Sequence, residues 1–399
     1  MFERRTRNVS TSKDSEKLMS ENESLKLTIE ESVASCEVLE KKNFQEIYDR
    51  ISGCIFAGAL GDALGYAVEF DSYKMIQMKY GKDGIRKPKL TGSKANISDD
   101  TQMTLFTMEG MSSEYAREEI QEDGKNVVDN IYLSYLKWLQ TQRPDWNSHL
   151  LSNWTSKLAE IPEMNSLRAP GNTCLSALAS EQMGTIENPI NNSKGCGGVM
   201  RTAPLGFTKI YGSALLNGAK AAAITHGHPL GWIPAGMLSD IVFKSIYGEK
   251  KPLKAIIEDS LEDTKAQFKD YEDIVYFEKL IKKAIALSET AGDDVTIIEK
   301  ELGGGWVGEE ALAIAVYCCL KYSDDMKKML TTAVNHSGDS DSTGAVAGNI
   351  LGAYAGMHAV PDDWLDCLEL VPVIQKQIDN MMVLVGYCSH GTIPRGVLP

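Results

Sequence analysis

Two short segments of this chain gather carboxylates and hydroxyls more densely than helix capping alone requires. One is Ile97-Ser98-Asp99-Asp100-Thr101-Gln102, followed by the run MTLFTMEGM. The other is His336-Ser337-Gly338-Asp339-Ser340-Asp341-Ser342-Thr343, followed by GAVAGNILGAYAGM. Ser, Asp and Thr are the preferred helix N-caps, so either segment alone reads first as a cap. Capping takes one side chain, whereas each segment offers several acids. Packed carboxylates repel one another unless a proton or a cation neutralises them. All the donors are oxygens, which suits a hard cation such as Mg²⁺ or Mn²⁺ and suits zinc poorly. The loop spacing and closing Glu of an EF-hand are absent. The two matched clusters therefore predict a metal site ahead of two apolar helices.

The elements that must position these clusters read as helices. The stretch QEIYDRISGCIFAGALGDALGYAVEF is apolar on nearly every side and studded with Gly and Ala, which predicts a central buried helix with close neighbours. VVDNIYLSYLKWLQTQ, SALLNGAKAAAIT, EEALAIAVYCCLKY and TGAVAGNILGAYAGM carry helical periodicity. APGNT, NPINNSKGCGG and HGHPLG punctuate between helices. Alternating β-branched runs are scarce. The expected architecture is all-α: a compact single-domain helical fold over residues 44–399. Residues 1–43 lack Gly and Pro and are rich in Ser, Glu, Lys and Asn. They read as a partly disordered tail or a solvated helical arm, or as an arm that docks on a partner or lies across the protein's own surface.

Composition removes several function classes. With 399 residues, 43% hydrophobic and 24% charged, the chain is an ordinary globular protein. Its formal net charge of -14 argues against non-specific nucleic-acid binding, which needs a positive surface. No run of about 18 apolar residues suggests a membrane span. The N-terminus shows no apolar run behind its charges, and the 8 Cys show no zinc spacing. Both features fit a cytoplasmic protein with free thiols.

Several motifs together resemble one family, the ADP-ribosylglycohydrolases. Gly61-Asp62-Ala63-Leu64-Gly65 with Glu69 looks like its opening motif, and Ser98-Asp99-Asp100-Thr101 like its first metal motif. Lys194-Gly195-Cys196-Gly197-Gly198-Val199-Met200-Arg201 resembles its Gly-rich substrate loop, and Thr225-His226 its His motif. Gly305-Trp306-Val307-Gly308-Glu309-Glu310-Ala311-Leu312 and Gly338-Asp339-Ser340-Asp341-Ser342 match its later motifs, all in order. The resemblance implies a central cleft holding two Mg²⁺ or Mn²⁺ ions. Their ligands would be Ser98, Asp99, Asp100, Asp339, Asp341 and Ser342. Asp100, Asp339 and Glu69 would serve catalysis. Gly195, Cys196, Gly197, Gly198, Met200 and His226 would face the substrate. Ser98 and Ser342 stand where many members have Thr, and Cys196 where many have Asn.

The implied substrate is an ADP-ribosylated protein, with Arg as the expected acceptor. Cleavage builds positive charge on the ribose ring, as in other glycoside hydrolyses. Arg201 is expected to pair with phosphate or with a core acid, and Trp306 to fill core rather than stack on adenine. Some relatives act as antidotes to ADP-ribosyltransferase toxins, so the N-terminal arm is a candidate for contacting such a transferase. Two rival readings stand beside this one: another Mg²⁺-dependent phosphohydrolase, and a non-catalytic binder of ADP-ribosylated or ADP-ribosylating partners.

Overall fold

The computed structural model describes residues 38–113 and 127–390. The proposed arm lies outside the described residues as far as residue 37. From Val38 the backbone is already helical and runs unbroken into the central helix, α1 (Val38–Tyr66). Then follow α2 (Tyr73–Tyr80), α3 (Asp99–Ser112), α4 (Val127–Gln142) and α5 (Asn172–Ala179). The middle of the chain supplies α6 (Ala214–Ala223), α7 (Pro229–Tyr247), α8 (Leu253–Gln267), α9 (Asp273–Ser288) and α10 (Asp294–Ile297). The last group is α11 (Gly308–Lys321), α12 (Met326–Val334), α13 (Ser340–Ala355), α14 (Asp362–Leu365) and α15 (Val371–His390). Among the described residues there is no strand, only isolated β-bridges such as Gly195 to Val307. The fold is all-α, as the periodicity predicts.

Local chemistry explains where the helices begin. Ser213 caps α6 by accepting from the Leu216 amide at 3.2 Å. His228 caps α7 through its ring, which accepts from the Leu230 amide at 3.0 Å, and Pro229 fills the first helical position. Proline is suited to that position because its missing N–H would have no intrahelical partner there.

The core is organised around an antiparallel seam between α1 and α13. Gly53 faces Gly352, Ala57 faces Gly348, Gly61 faces Gly344, and Gly65 faces Ser340. A Cβ added at Gly61 would lie 2.0 Å from the Gly344 carbonyl oxygen. One added at Gly348 would lie 2.1 Å from that of Ala57. Only hydrogen fits between these backbones, and each helix repeats its small residues every four positions, so one face of each stays flat. The Asn349 side chain spans the seam by donating to the Cys54 carbonyl at 2.9 Å. Around the seam pack α7, α11, α12 and α15, while α3 pairs with α4 and α6 with α7. The seam fixes the end of α1 beside the start of α13, which is where the acids lie.

Gly61→Ala is expected to lower stability by about 1–3 kcal/mol, the cost of overpacking a filled core. Gly171→Ala, where an added Cβ meets nothing within 4 Å, should stay within about 0.5 kcal/mol of the parent. Urea midpoints of the two variants measure the contrast.

Candidate active site at three converging helix ends

Both acidic segments sit at helix N-termini. Ser98 is the N-cap of α3, its hydroxyl accepting from the Asp100 amide at 3.2 Å. Asp339 is the N-cap of α13, its Oδ1 accepting from the Ser342 amide at 3.2 Å. Asp341 Oδ1 also accepts from the Ser342 amide, at 3.0 Å. Each segment thus spends one side chain on capping and keeps further acids for something else. The capping reading holds at Ser98 and Asp339, and the remaining acids of each turn are not needed for it. Helix N-termini carry partial positive charge, which favours carboxylates there.

The third contribution comes from α1 and the turn after it. Asp62 was not singled out from its sequence motif as a site residue, yet it positions the first segment. Its carboxylate accepts from the Ser98 amide at 2.8 Å, from the Thr101 amide at 3.0 Å and from the Thr101 hydroxyl. The two neighbouring amides are held as well. The Ile97 amide donates to Glu369 at 2.6 Å, and the Asp99 amide to the Arg168 carbonyl at 3.0 Å. Three successive amides are pinned to three different parts of the chain. The available signal was an acid in the middle of an apolar helix rich in small residues, which has to find donors when buried.

The electrostatics show that the acids are neighbours. Ser98, Asp99, Asp100, Asp339, Asp341, Ser342 and Glu69 are all buried. Burial, then Asp99, Asp62 and Asp339, push the Asp100 carboxyl well above the usual range. Asp341 is raised by burial and by Asp100, Asp339 and Glu69. Asp99 is raised by burial first, with the Gly171 amide opposing. Glu69 is pushed up to about 8 by burial and then by Asp339 and Asp99. Asp100 Oδ2 and Glu69 Oε2 are buried without a hydrogen-bond partner. Such oxygens call for a proton or a cation. Among the described residues, no three His, Cys, Asp or Glu side chains close on one point as a ligand shell does. The acids form a crowded set of hard oxygen donors that suits a hard cation, rather than a preformed coordination sphere.

The Gly-rich loop adjoins the second segment. The Cys196 thiol donates to Asp339 Oδ2 at 2.8 Å, and Met200 Sδ lies 4.0 Å from the Ser342 hydroxyl. Burial and the carboxylates of Asp339 and Asp100 keep the Cys196 thiol protonated. The glycines serve packing on the protein side. A Cβ on Gly198 would lie 2.6 Å from the Gly231 carbonyl, and one on Gly197 would press on Cys174 and the His226 ring. His226 is therefore a buried buttress under Gly195 and Gly197, its Nδ1 2.8 Å from the Thr225 hydroxyl. Burial and then Arg201 lower its pKa to about 3, so the ring is neutral.

Two expectations are corrected. Arg201 pairs with neither phosphate nor acid: it is fully buried, donates to the Thr225 hydroxyl at 2.6 Å and stacks over the Tyr135 ring at 4.3 Å. A guanidinium is weakly hydrated and stacks well on aromatic faces, which is how the core accepts it. Trp306 is not core. It is 45% exposed and stacks on Phe70, centroids 6.2 Å apart. The glycines before it, Gly303 and Gly305, have positive φ and turn the chain outward at that point.

Comparison with known proteins places this geometry among relatives. A family model described as ADP-ribosylglycohydrolase matches residues 43–390. The chain is 26% identical over 352 residues to the ADP-ribosyl-[dinitrogen reductase] glycohydrolase of Rhodospirillum rubrum, covering 85% of this chain and 98% of that one. It is 26% identical over 221 residues to the ADP-ribosylhydrolase ARH3 of Gallus gallus, covering 50% of this chain and 59% of that one. A solved structure titled ADP-ribosylglycohydrolase-related protein complex superposes with a TM-score of 0.58 at 20% identity, covering 86% of this chain and 99% of that one, which shows a shared fold.

The raised acids dictate a pH response. Folded, Glu69 holds its proton to about 8 against 4.5 when unperturbed, and Asp62 to about 6 against 3.8. The folded chain thus binds more protons than the unfolded chain across these windows, so stability falls as pH rises through them. Thermal melts of the chelator-treated protein should show the melting temperature falling between pH 4.5 and 8. Millimolar Mg²⁺ or Mn²⁺ should restore more of it at pH 8 than at pH 5. A melting temperature independent of pH and metal would remove the crowded-acid account.

Proposed function

The chain belongs to the ADP-ribosylglycohydrolase family, and from that premise we propose that it removes ADP-ribose from arginine side chains of a target protein with the help of divalent cations. The observation that carries the reading is the crowd of buried acids where α1, α3 and α13 converge, with partnerless carboxylate oxygens at Asp100 and Glu69. The name of the Rhodospirillum rubrum relative states a protein-bound ADP-ribose as its substrate, which supports the substrate class.

Ser98, Asp99, Asp100, Asp339, Asp341 and Ser342 all offer oxygen donors of the kind Mg²⁺ or Mn²⁺ takes, and would hold two such ions. Ions bound there would polarise the ribose hydroxyls and lower the pKa of a bound water. The protein's own residues do the rest. Asp62 holds the Ser98–Thr101 turn, so Asp99 and Asp100 enter the site from a fixed backbone. Asp339 is fixed from two sides, its amide donating to the Gly304 carbonyl at 2.8 Å and its Oδ2 accepting from the Cys196 thiol. A carboxylate so held can accept a proton from an attacking water, as general-base catalysis requires. Asp100, with one oxygen unpartnered, is the second group suited to that task. Glu69, whose carboxyl burial and the acids Asp339 and Asp99 raise in the metal-free protein, is the group suited to hydrogen-bond a ribose hydroxyl. The Gly195–Gly198 loop lies against Asp339 and is backed by His226 and Gly231, which gives the substrate side a firm wall.

The transferase-directed role of residues 1–43 stays a separate proposal. Deleting residues 1–37 should weaken binding to an ADP-ribosyltransferase without reducing hydrolysis, and unchanged binding would remove that role.

The decisive assay incubates the protein with Mg²⁺ and an arginine-ADP-ribosylated protein, and follows free ADP-ribose. Release should stop with EDTA, and Asp100→Asn and Asp339→Ala should each lower the rate by about a hundredfold or more. Release that survives EDTA and both substitutions would sink the reading. A phosphate product without ADP-ribose would favour a phosphohydrolase instead.

A further inference from the structure

The exposed Phe70–Trp306 pair is used by none of the chemistry above. Phe70 is 75% exposed and Trp306 45%, and their planes lie 25° apart. Two large aromatic rings rarely stay in water unless they contact something. Their positions are tied to the acid site. Phe70 directly follows Glu69, and the next turn is anchored when the Tyr73 amide donates to the Ser337 hydroxyl at 2.8 Å. Trp306 sits in a loop bonded on both sides of it. Gly304 accepts from the Asp339 amide at 2.8 Å, and the Trp306 carbonyl accepts from the Cys196 amide at 3.2 Å. The Glu310 carboxylate accepts from the Gly304 and Gly305 amides at 3.0 and 3.2 Å, which stiffens the same turn. The rings are thus carried on rigid backbone, one beside Glu69 and the other between Asp339 and Cys196.

We propose that the Phe70–Trp306 pair receives the planar cation of the acceptor, the guanidinium of the target arginine, and so selects arginine-linked substrates. This rests on the hydrolase reading of the adjoining site. Ring faces are negative and attract cations, arginine above all, because its flat guanidinium stacks. The neighbouring Asp339 brings a carboxylate to this side, which favours a cation there over the anionic half of ADP-ribose. Rings held in place before the substrate arrives bind it without an ordering cost. The acceptor arginine would approach across the aromatic pair, while the nucleotide half lies toward the Gly195–Gly198 loop.

Among the described residues Trp306 is the one exposed tryptophan, with Trp146 half-buried, so the part of the emission lost in Trp306→Phe reports on the pair. Arginine methyl ester should quench that emission in a saturable way, lysine methyl ester should do so less, and Trp306→Phe should remove the signal. Trp306→Ala and Phe70→Ala should raise KM for arginine-ADP-ribosylated protein about 3- to 30-fold, while affinity for free ADP-ribose, measured calorimetrically, stays unchanged. An equal loss of ADP-ribose affinity would place the nucleotide on the rings and overturn the inference. So would an active parent whose variants match it on the arginine-linked substrate and whose tryptophan ignores arginine methyl ester. A parent that releases nothing from any linkage would instead overturn the hydrolase reading, and the ester titration would still report on the pair.

Discussion

The contact on which everything else depends is the bare backbone-to-backbone seam between α1 and α13. Dispersion between closely approaching backbones is favourable only when nothing stands between them, so the register is set by where the glycines fall. That register leaves the C-terminal end of α1 facing the N-terminal turn of α13. Asp62 then reaches across to seize the start of α3, and a third helix end joins the other two. The site is a product of helix packing, with its acids carried on elements that cannot slide.

Such an arrangement works against the stability of the free protein. Six buried carboxyls, Asp62, Glu69, Asp99, Asp100, Asp339 and Asp341, kept from water and crowded together would ordinarily scatter. Two helix N-termini, the amides of Ser98, Thr101 and Ser342, and the Cys196 thiol offset part of that cost. The remainder is held as raised proton affinity at Asp62, Glu69, Asp99, Asp100 and Asp341. Functional sites commonly carry such strain, and here a bound cation would relieve the same crowding that burdens the fold.

Much of this was legible in the sequence, for identifiable reasons. The helices announced themselves because their apolar residues keep a strict period: VVDNIYLSYLKWLQTQ spans the whole of α4. The two acid segments stood out because the local excess of carboxylates exceeds what a cap consumes. What stayed hidden depends on contacts between distant parts of the chain. Asp62 shows its role only once α3 is laid against it. Arg201 followed a Gly-rich loop, which suggested phosphate, but its neighbours Thr225 and Tyr135 come from elsewhere in the chain and enclose it. Trp306 looked like core because tryptophan usually is; the positive-φ glycines before it turn it outward, and nothing in its own identity announces that. The glycines of the loop also serve packing, which the sequence does not show, since the space they leave is taken up by His226 and Gly231.

The four-residue rhythm of the seam has a consequence for chain length. Between Gly344 and Asp341 there is less than one helical turn, and the phase between seam and acids is fixed by counting residues. One residue inserted there would keep the contacts of Gly53, Ala57 and Gly61 with Gly352, Gly348 and Gly344, break that of Gly65 with Ser340, and swing the acids by about 100° about the helix axis. Substitutions at the outer faces of these helices leave that phase alone, whereas a change of length inside them would yield a folded protein whose acids point away from one another. A change of length is therefore tolerated in the connections alone, and the distance along the chain from seam to acid is itself part of the site.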